Sequence, residues 1–319
     1  MSIRGIDQIT YGVEDREQCG KFFDDWGLER IEETATRTVF ETLNGCRVIV
    51  ADHDAADLPP AFEEGSTLRE VVWGVGSDAD LDRLRPVLEK AEGFVADKGH
   101  IGCTDTNGLA IRFQLTQKRD VEVTGCPSNT WDKRERIDRR GAVYERARPI
   151  EVGHVVLFVT DVSRAEAFYA ELGFVASDRY PGRGAFMRCE PRGGHHDLFM
   201  LQLPNGKLGL NHVAFTVRDI HEVFGGGLHI DRCGWKTQLG PGRHPISSAY
   251  FWYFKCPAGG LVEYYADEDE LTGNWQPRDF EPSPTAFAEW AVDGGLDGHT
   301  RRQHEAKAGG KFLTEKRED

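Results

Sequence analysis

Apolar and polar positions recur along this chain in one repeated order. Four segments each open with a short β-rich apolar run, continue with apolar residues at helical spacing, and go on into further strands. The third is the clearest. Val152–Val159 is rich in β-branched and aromatic residues, as a strand requires. Asp161 and Ser163 can cap a helix, Ala165, Phe168, Tyr169 and Leu172 share its apolar face, and Gly173 can end it. In the first segment the strand is Ile6–Val13, the cap Asp15, the helix face Cys19, Phe22, Phe23 and Trp26, and the stop Gly27. The second starts at Leu68–Val75, with a helix through Leu81, Leu84 and Leu88. The fourth starts at Leu210–Val217 and predicts a weaker helix after Asp219, interrupted by glycines. Segments two and four close with similar strands, Asn107–Phe113 and Gly259–Tyr265.

This order predicts an α+β protein with two domains, each a pair of modules. The expected N-terminal domain spans 1–116 and the C-terminal domain 150–267. Between them, 117–149 is dense in charged residues and broken by Gly125, Pro127 and Gly141, which predicts a solvent-facing connector. The tail, 268–319, carries Trp275, Arg278, Phe280, Phe287 and Trp290, and its polar end is expected to fray.

Composition narrows the classes. The 319 residues are 39% apolar and 29% charged, which suits two globular domains. A net charge of −14 argues against nucleic acid and anionic membranes as partners. No apolar run approaches the ~20 residues of a membrane span, and Met1–Asp7 has no apolar leader segment. The seven cysteines are scattered without a CxxC pair, so free thiols in a reducing cytoplasm are expected.

Three ionisable residues stand out within the repeat. His154 and His212 sit at equivalent places in the opening strands of segments three and four, and Glu263 sits in the closing strand of segment four. A polar group among apolar strand residues is costly unless paired or metal-bound. If the two modules face each other, two imidazoles and one carboxylate converge as the facial triad of non-haem iron(II) oxygenases. The matching N-terminal positions read as Gln8, Glu70 and Ile111, so no metal is expected there.

On these residues the chain resembles the type I extradiol dioxygenases of the vicinal oxygen chelate superfamily, across roughly residues 5–270. Gly153-His154-Val155, Leu210–Phe215 and Val262-Glu263-Tyr264 look like the three metal-ligand motifs of that family. The resemblance implies βαβββ modules, Fe(II) with manganese(II) as an alternative, and ring cleavage of a catechol by dioxygen to a muconic semialdehyde-type product. It also implies three further active residues. Gly194-His195-His196-Asp197-Leu198 matches the segment carrying a catalytic histidine, with His196 the better match and His195 read as a solvated turn residue. His244 matches the second histidine, Tyr253 nine residues on matches the tyrosine, and Glu263 follows ten residues later. Candidates for the ring pocket are Phe186, Phe199, Tyr250 and Trp252, and for a substrate carboxylate Arg243 or Arg278. A homo-oligomer is expected. The competing readings are a glyoxalase-like isomerase, which would need a fourth protein ligand, and a non-catalytic small-molecule binding protein, which would need no triad.

Overall fold

The protein is described here from a computed structural model, which covers residues 2–97 and 99–294. The first module is β1 (Ile3–Val13), α1 (Arg16–Trp26), β2 (Glu29–Glu33), β3 (Arg37–Glu41) and β4 (Arg47–Asp52). The second is β5 (Thr67–Val75), α2 (Asp78–Leu88), β6 (Val95–Asp97), β7 (His100–Thr104) and β8 (Ala110–Leu115). After the connector come β9 (Glu151–Phe158), α3 (Val162–Glu171), β10 (Val175–Tyr180), β11 (Gly184–Arg188) and β12 (Leu198–Leu201). The fourth module is β13 (Gly209–Thr216), α4 (Ile220–Arg232), β14 (Thr237–Arg243), β15 (Tyr250–Lys255) and β16 (Leu261–Ala266). All four are βαβββ, as the resemblance implies. The tail adds β17 (Arg278–Asp279), α5 (Pro284–Phe287) and β18 (Trp290–Gly294).

Two sheets result. The first has the order β2-β3-β4-β1-β5-β8-β7-β6, and the second β17-β10-β11-β12-β9-β13-β16-β15-β14-β18. Each is built on an antiparallel central pair, β1/β5 or β9/β13, flanked by strands parallel to it. The tail strands extend the second sheet at its two edges, so the described tail joins that sheet.

The expected caps are present. Asp15 and Asp161 accept the backbone N–H groups of Gln18 and Arg164, and Gly27 ends α1 at φ 97°. The glycine run in the fourth module is a different matter. Gly225, Gly226 and Gly227 lie inside α4, at 13 residues the longest helix described. A Cβ there would stand 2.1 Å from the Tyr144 carbonyl, 2.6 Å from Ala147 Cβ and 2.0 Å from the Trp252 ring. The glycines let the connector and β15 press against the helix, and that packing outweighs their poor propensity.

One cluster of buried apolar residues runs through both halves. Trp26, at the end of α1, is fully buried and stacks on Tyr264 of β16 with centroids 3.6 Å apart. It also meets Phe215 and Phe254 edge-on, while the Tyr264 hydroxyl donates to its carbonyl. Trp26→Ala should therefore cost ~3–5 kcal/mol in urea unfolding, the range for emptying a large aromatic site. A loss below about 1 kcal/mol would show that the two halves do not depend on this contact.

Candidate metal centre and its cavity

Strand alternation sets the site. On β9, Val155 and Leu157 belong to the shared core, while His154 and Val156 face the other side and line a cavity. On β13, Val213 and Phe215 go to the core and His212 to the cavity. On β16, Val262 and Tyr264 face the core, and Glu263 and Tyr265 the cavity. Register then joins the strands: His154 pairs with Ala214, and Ala214 with Glu263. Bulges in the β9/β13 ladder fall on either side of His212 and Ala214, where a change of side-chain aim is needed.

The donor atoms form a nearly equilateral triangle. His154 Nε2 lies 3.3 Å from His212 Nε2, and Glu263 Oε2 lies 3.2 Å from the first and 3.3 Å from the second. Adjacent octahedral ligands at roughly 2.1–2.3 Å from a metal stand about 3.0–3.3 Å apart, so a divalent ion fits this face. All three residues are at least 95% buried, and neither Glu263 oxygen receives a well-formed hydrogen bond. A buried carboxylate so poorly served calls for a cation. His212 Nδ1 stands 2.7 Å from Asn211 Oδ1, which fixes Nδ1 as the donor and turns Nε2 inward. Burial pushes His154 down to about 4, so its imidazole is neutral at neutral pH. Burial alone would raise Glu263, but the three histidines around it hold it well below its usual value.

The other expected residues flank the triangle. The His196 ring lies 4.2 Å from that of His154, and the Tyr253 ring 5.0 Å from that of His212. His244 Nδ1 donates to the Phe287 carbonyl at 2.7 Å, so its Nε2 accepts from the Tyr253 hydroxyl at 2.9 Å. His244 Nε2 is also 3.5 Å from Glu263 Oε1. Burial and the Glu263 charge push the Tyr253 phenol well above its usual value, so it stays protonated. Burial and the nearby imidazoles push His196 well below its own, so it is neutral.

The structure corrects several expectations. His195 is fully buried, not solvated: Asp178 Oδ2 lies 2.8 Å from its Nε2. Phe186 and Phe199 do line the cavity, stacked 3.8 Å apart. Tyr250 and Trp252 do not; Trp252 packs on Gly227 and donates to Thr237. Neither arginine reaches the cavity, because Arg243 pairs with Glu289 and Arg278 with Asp178. Lining residues not anticipated include Tyr180, Ile246, Ser247, Tyr265, Glu268 and Phe287. Phe287 brings the tail to the cavity wall. Burial raises Glu268 to about 8, so it is mostly neutral at pH 7.

The N-terminal counterpart needs one more correction. Register pairs Gln8 with Val72 and Val72 with Arg112, as it pairs His154 with Ala214 and Ala214 with Glu263. Arg112, not Ile111, therefore matches Glu263. Its Nε lies 3.3 Å from Glu70 Oε2, and Gly102 beside it has no side chain to obstruct it.

Among the described residues one other set of potential ligands converges, Asp25, His229 and Cys233. There Lys21 and Trp235 already hold the Asp25 carboxylate, at 2.5 and 2.8 Å, and burial raises the Cys233 thiol. That set is balanced without a metal ion.

Residues 151–264 match the Glyoxalase/Bleomycin resistance protein/Dioxygenase superfamily. Metapyrocatechase 2 of Cupriavidus necator is 35% identical over 312 residues, covering 92% of this chain and 90% of that one. The 3-methylcatechol 2,3-dioxygenase of Pseudomonas putida is 27% identical over 229 residues, covering 63% and 71%. The Mn(II)-bound glyoxalase from Novosphingobium aromaticivorans shares the fold, with a TM-score of 0.72 at 23% identity over 92% of this chain and 93% of its own. With over a third of its residues shared along nine-tenths of a metapyrocatechase, the chain belongs to the extradiol dioxygenases of the vicinal oxygen chelate superfamily.

Proposed function

We propose that this enzyme opens the ring of an uncharged catechol beside its two hydroxyls, using iron(II) held by His154, His212 and Glu263. Family membership implies extradiol cleavage of a catechol by dioxygen at a catalytic metal. The observation that carries the ligand assignment is the triangle of donor atoms 3.2–3.3 Å apart around an unsatisfied buried carboxylate. No fourth imidazole or carboxylate joins that group among the described residues, which argues against the isomerase reading. Two imidazoles and a carboxylate also suit manganese(II), and iron is favoured because this ligand set with open positions is the iron(II) oxygenase pattern.

When bound, the metal lowers the pKa of a coordinated catechol and lets ring and dioxygen exchange electrons. The protein's residues manage the protons. A proton leaving a substrate hydroxyl arrives on the Tyr253 oxygen as the Tyr253 proton passes to His244 Nε2. The Glu263 charge, 3.5 Å away, steadies the imidazolium so formed. His196, beyond the His154 ring, takes and returns a proton on the other side of the substrate. Phe186, Phe199, Ile246 and Phe287 exclude water from the ring.

The lining supports an uncharged substrate. Among the described residues no lysine or arginine borders the cavity, and Glu268 is mostly neutral. A substrate carboxylate would therefore be buried without a cationic partner. Catechols with hydrogen or small alkyl substituents should exceed carboxylated ones in kcat/KM by at least ~100-fold, roughly 3 kcal/mol. The test is anaerobic reconstitution with Fe(II), then oxygen uptake and yellow-product formation across a catechol panel. Absence of uptake with every catechol, at full iron content, would reject the function. Preference for a carboxylated ring would reject the substrate class.

A further inference from the structure

The paired histidines His195 and His196 leave one member without a part in the reaction above. We propose that Asp178 and His195 are positioning residues that fix the tautomer and ring orientation of His196. Asp178 and His195 are both fully buried. Arg278, on β17, donates its backbone N–H to Asp178 Oδ1 at 2.7 Å and its Nη2 to Oδ2 at 2.6 Å. A carboxylate held by a guanidinium is an acceptor only, so the hydrogen between it and His195 sits on His195 Nε2, 2.8 Å away. In a neutral ring His195 Nδ1 is then a lone pair. It lies 3.1 Å from His196 Nδ1, which must donate to it. His196 Nε2 is left as the ring nitrogen free for the cavity that His196 lines. The same guanidinium donates to the Ile246 carbonyl at 2.7 Å, so it also steadies the loop beside Ser247 at the cavity wall.

A purely structural role explains this poorly. Apolar side chains of similar volume would fill the space without burying an ion pair, which by itself contributes little stability. Polar partners behind an active imidazole are repaid by geometry, since they select one tautomer and one ring angle.

The inference rests on His196 being the proton carrier, and the test separates the two. His196→Phe, Asp178→Asn, His195→Phe and the double variant Asp178→Asn/His196→Phe are each loaded anaerobically with Fe(II). Asp178→Asn and His195→Phe should lower kcat by ~10–100-fold, with iron content and anaerobic catechol affinity changed by no more than about twofold. The double variant should be no slower than His196→Phe alone, because the pair acts only through that ring. Losses that multiply in the double variant, or full kcat in Asp178→Asn, overturn the positioning role. Full turnover in His196→Phe overturns the proton-carrier reading and the inference with it. If Asp178→Asn does not fold, His195→Gln closes the same cycle with His196→Phe.

Discussion

Glu263→Ala should give a folded protein that retains no metal after gel filtration. The carboxylate supplies the one anionic donor of the triangle, and without it only two imidazoles remain. Removing an outer partner of a metal ligand already costs 10–100-fold in affinity, so loss of the ligand itself should exceed ~1,000-fold, about 4 kcal/mol. Folding should survive, because the metal-free protein carries Glu263 as a buried charge with poorly served oxygens, and alanine relieves it. Thermal melts distinguish these effects. Saturating Fe(II) should stabilise the parent protein, by ~4 kcal/mol at a thousand times Kd, and leave Glu263→Ala unmoved. His154→Ala should behave alike. A full equivalent of tightly bound iron in either variant would remove the ligand assignment.

His196→Phe should keep iron and bind catechol normally, yet turn over ~100–10,000-fold more slowly, the range for losing a positioned proton carrier. Phenylalanine suits the space, since the ring already meets Phe186 edge-on at 5.2 Å and lies 6.4 Å from Phe199. The change replaces two nitrogens by carbon and enlarges the ring by one atom, which the neighbouring aromatic rings can accommodate, so the fold should hold. Single-turnover experiments with preformed enzyme–catechol complex place the defect after binding, whereas a rise in KM at unchanged kcat would assign His196 to substrate binding. A kcat within about threefold of the parent would leave His196 no part in proton transfer.

Much of this site is written in strand periodicity. His154, His212 and Glu263 each interrupt an apolar run, and their equivalent places in the repeat point to one another before any coordinates are known. The same alternation, counted from Tyr253, puts Trp252 on the opposite face and could have excluded it from the cavity. Other features depend on contacts that no local pattern encodes. Ladder shifts between β1 and β5 complicate counting along the first sheet, so Ile111 is taken where Arg112 stands. The glycines of α4 look like helix breakers until Tyr144 and Trp252 are seen against them. His195 resembles a turn residue because its partner, Asp178, lies 17 positions earlier, and Arg278, which secures Asp178, lies 100 positions beyond it. Only the folded chain shows that the tail supplies both that arginine and Phe287, whose carbonyl orients His244.

The Glu70–Arg112 pair bears on how this enzyme would compete for a scarce nutrient. Arg112 gives the first half a permanent organic cation beside the one acidic group that might have attracted an inorganic one. A ferrous titration should therefore end at one equivalent per polypeptide, and a starved cell would lose no iron to an idle twin.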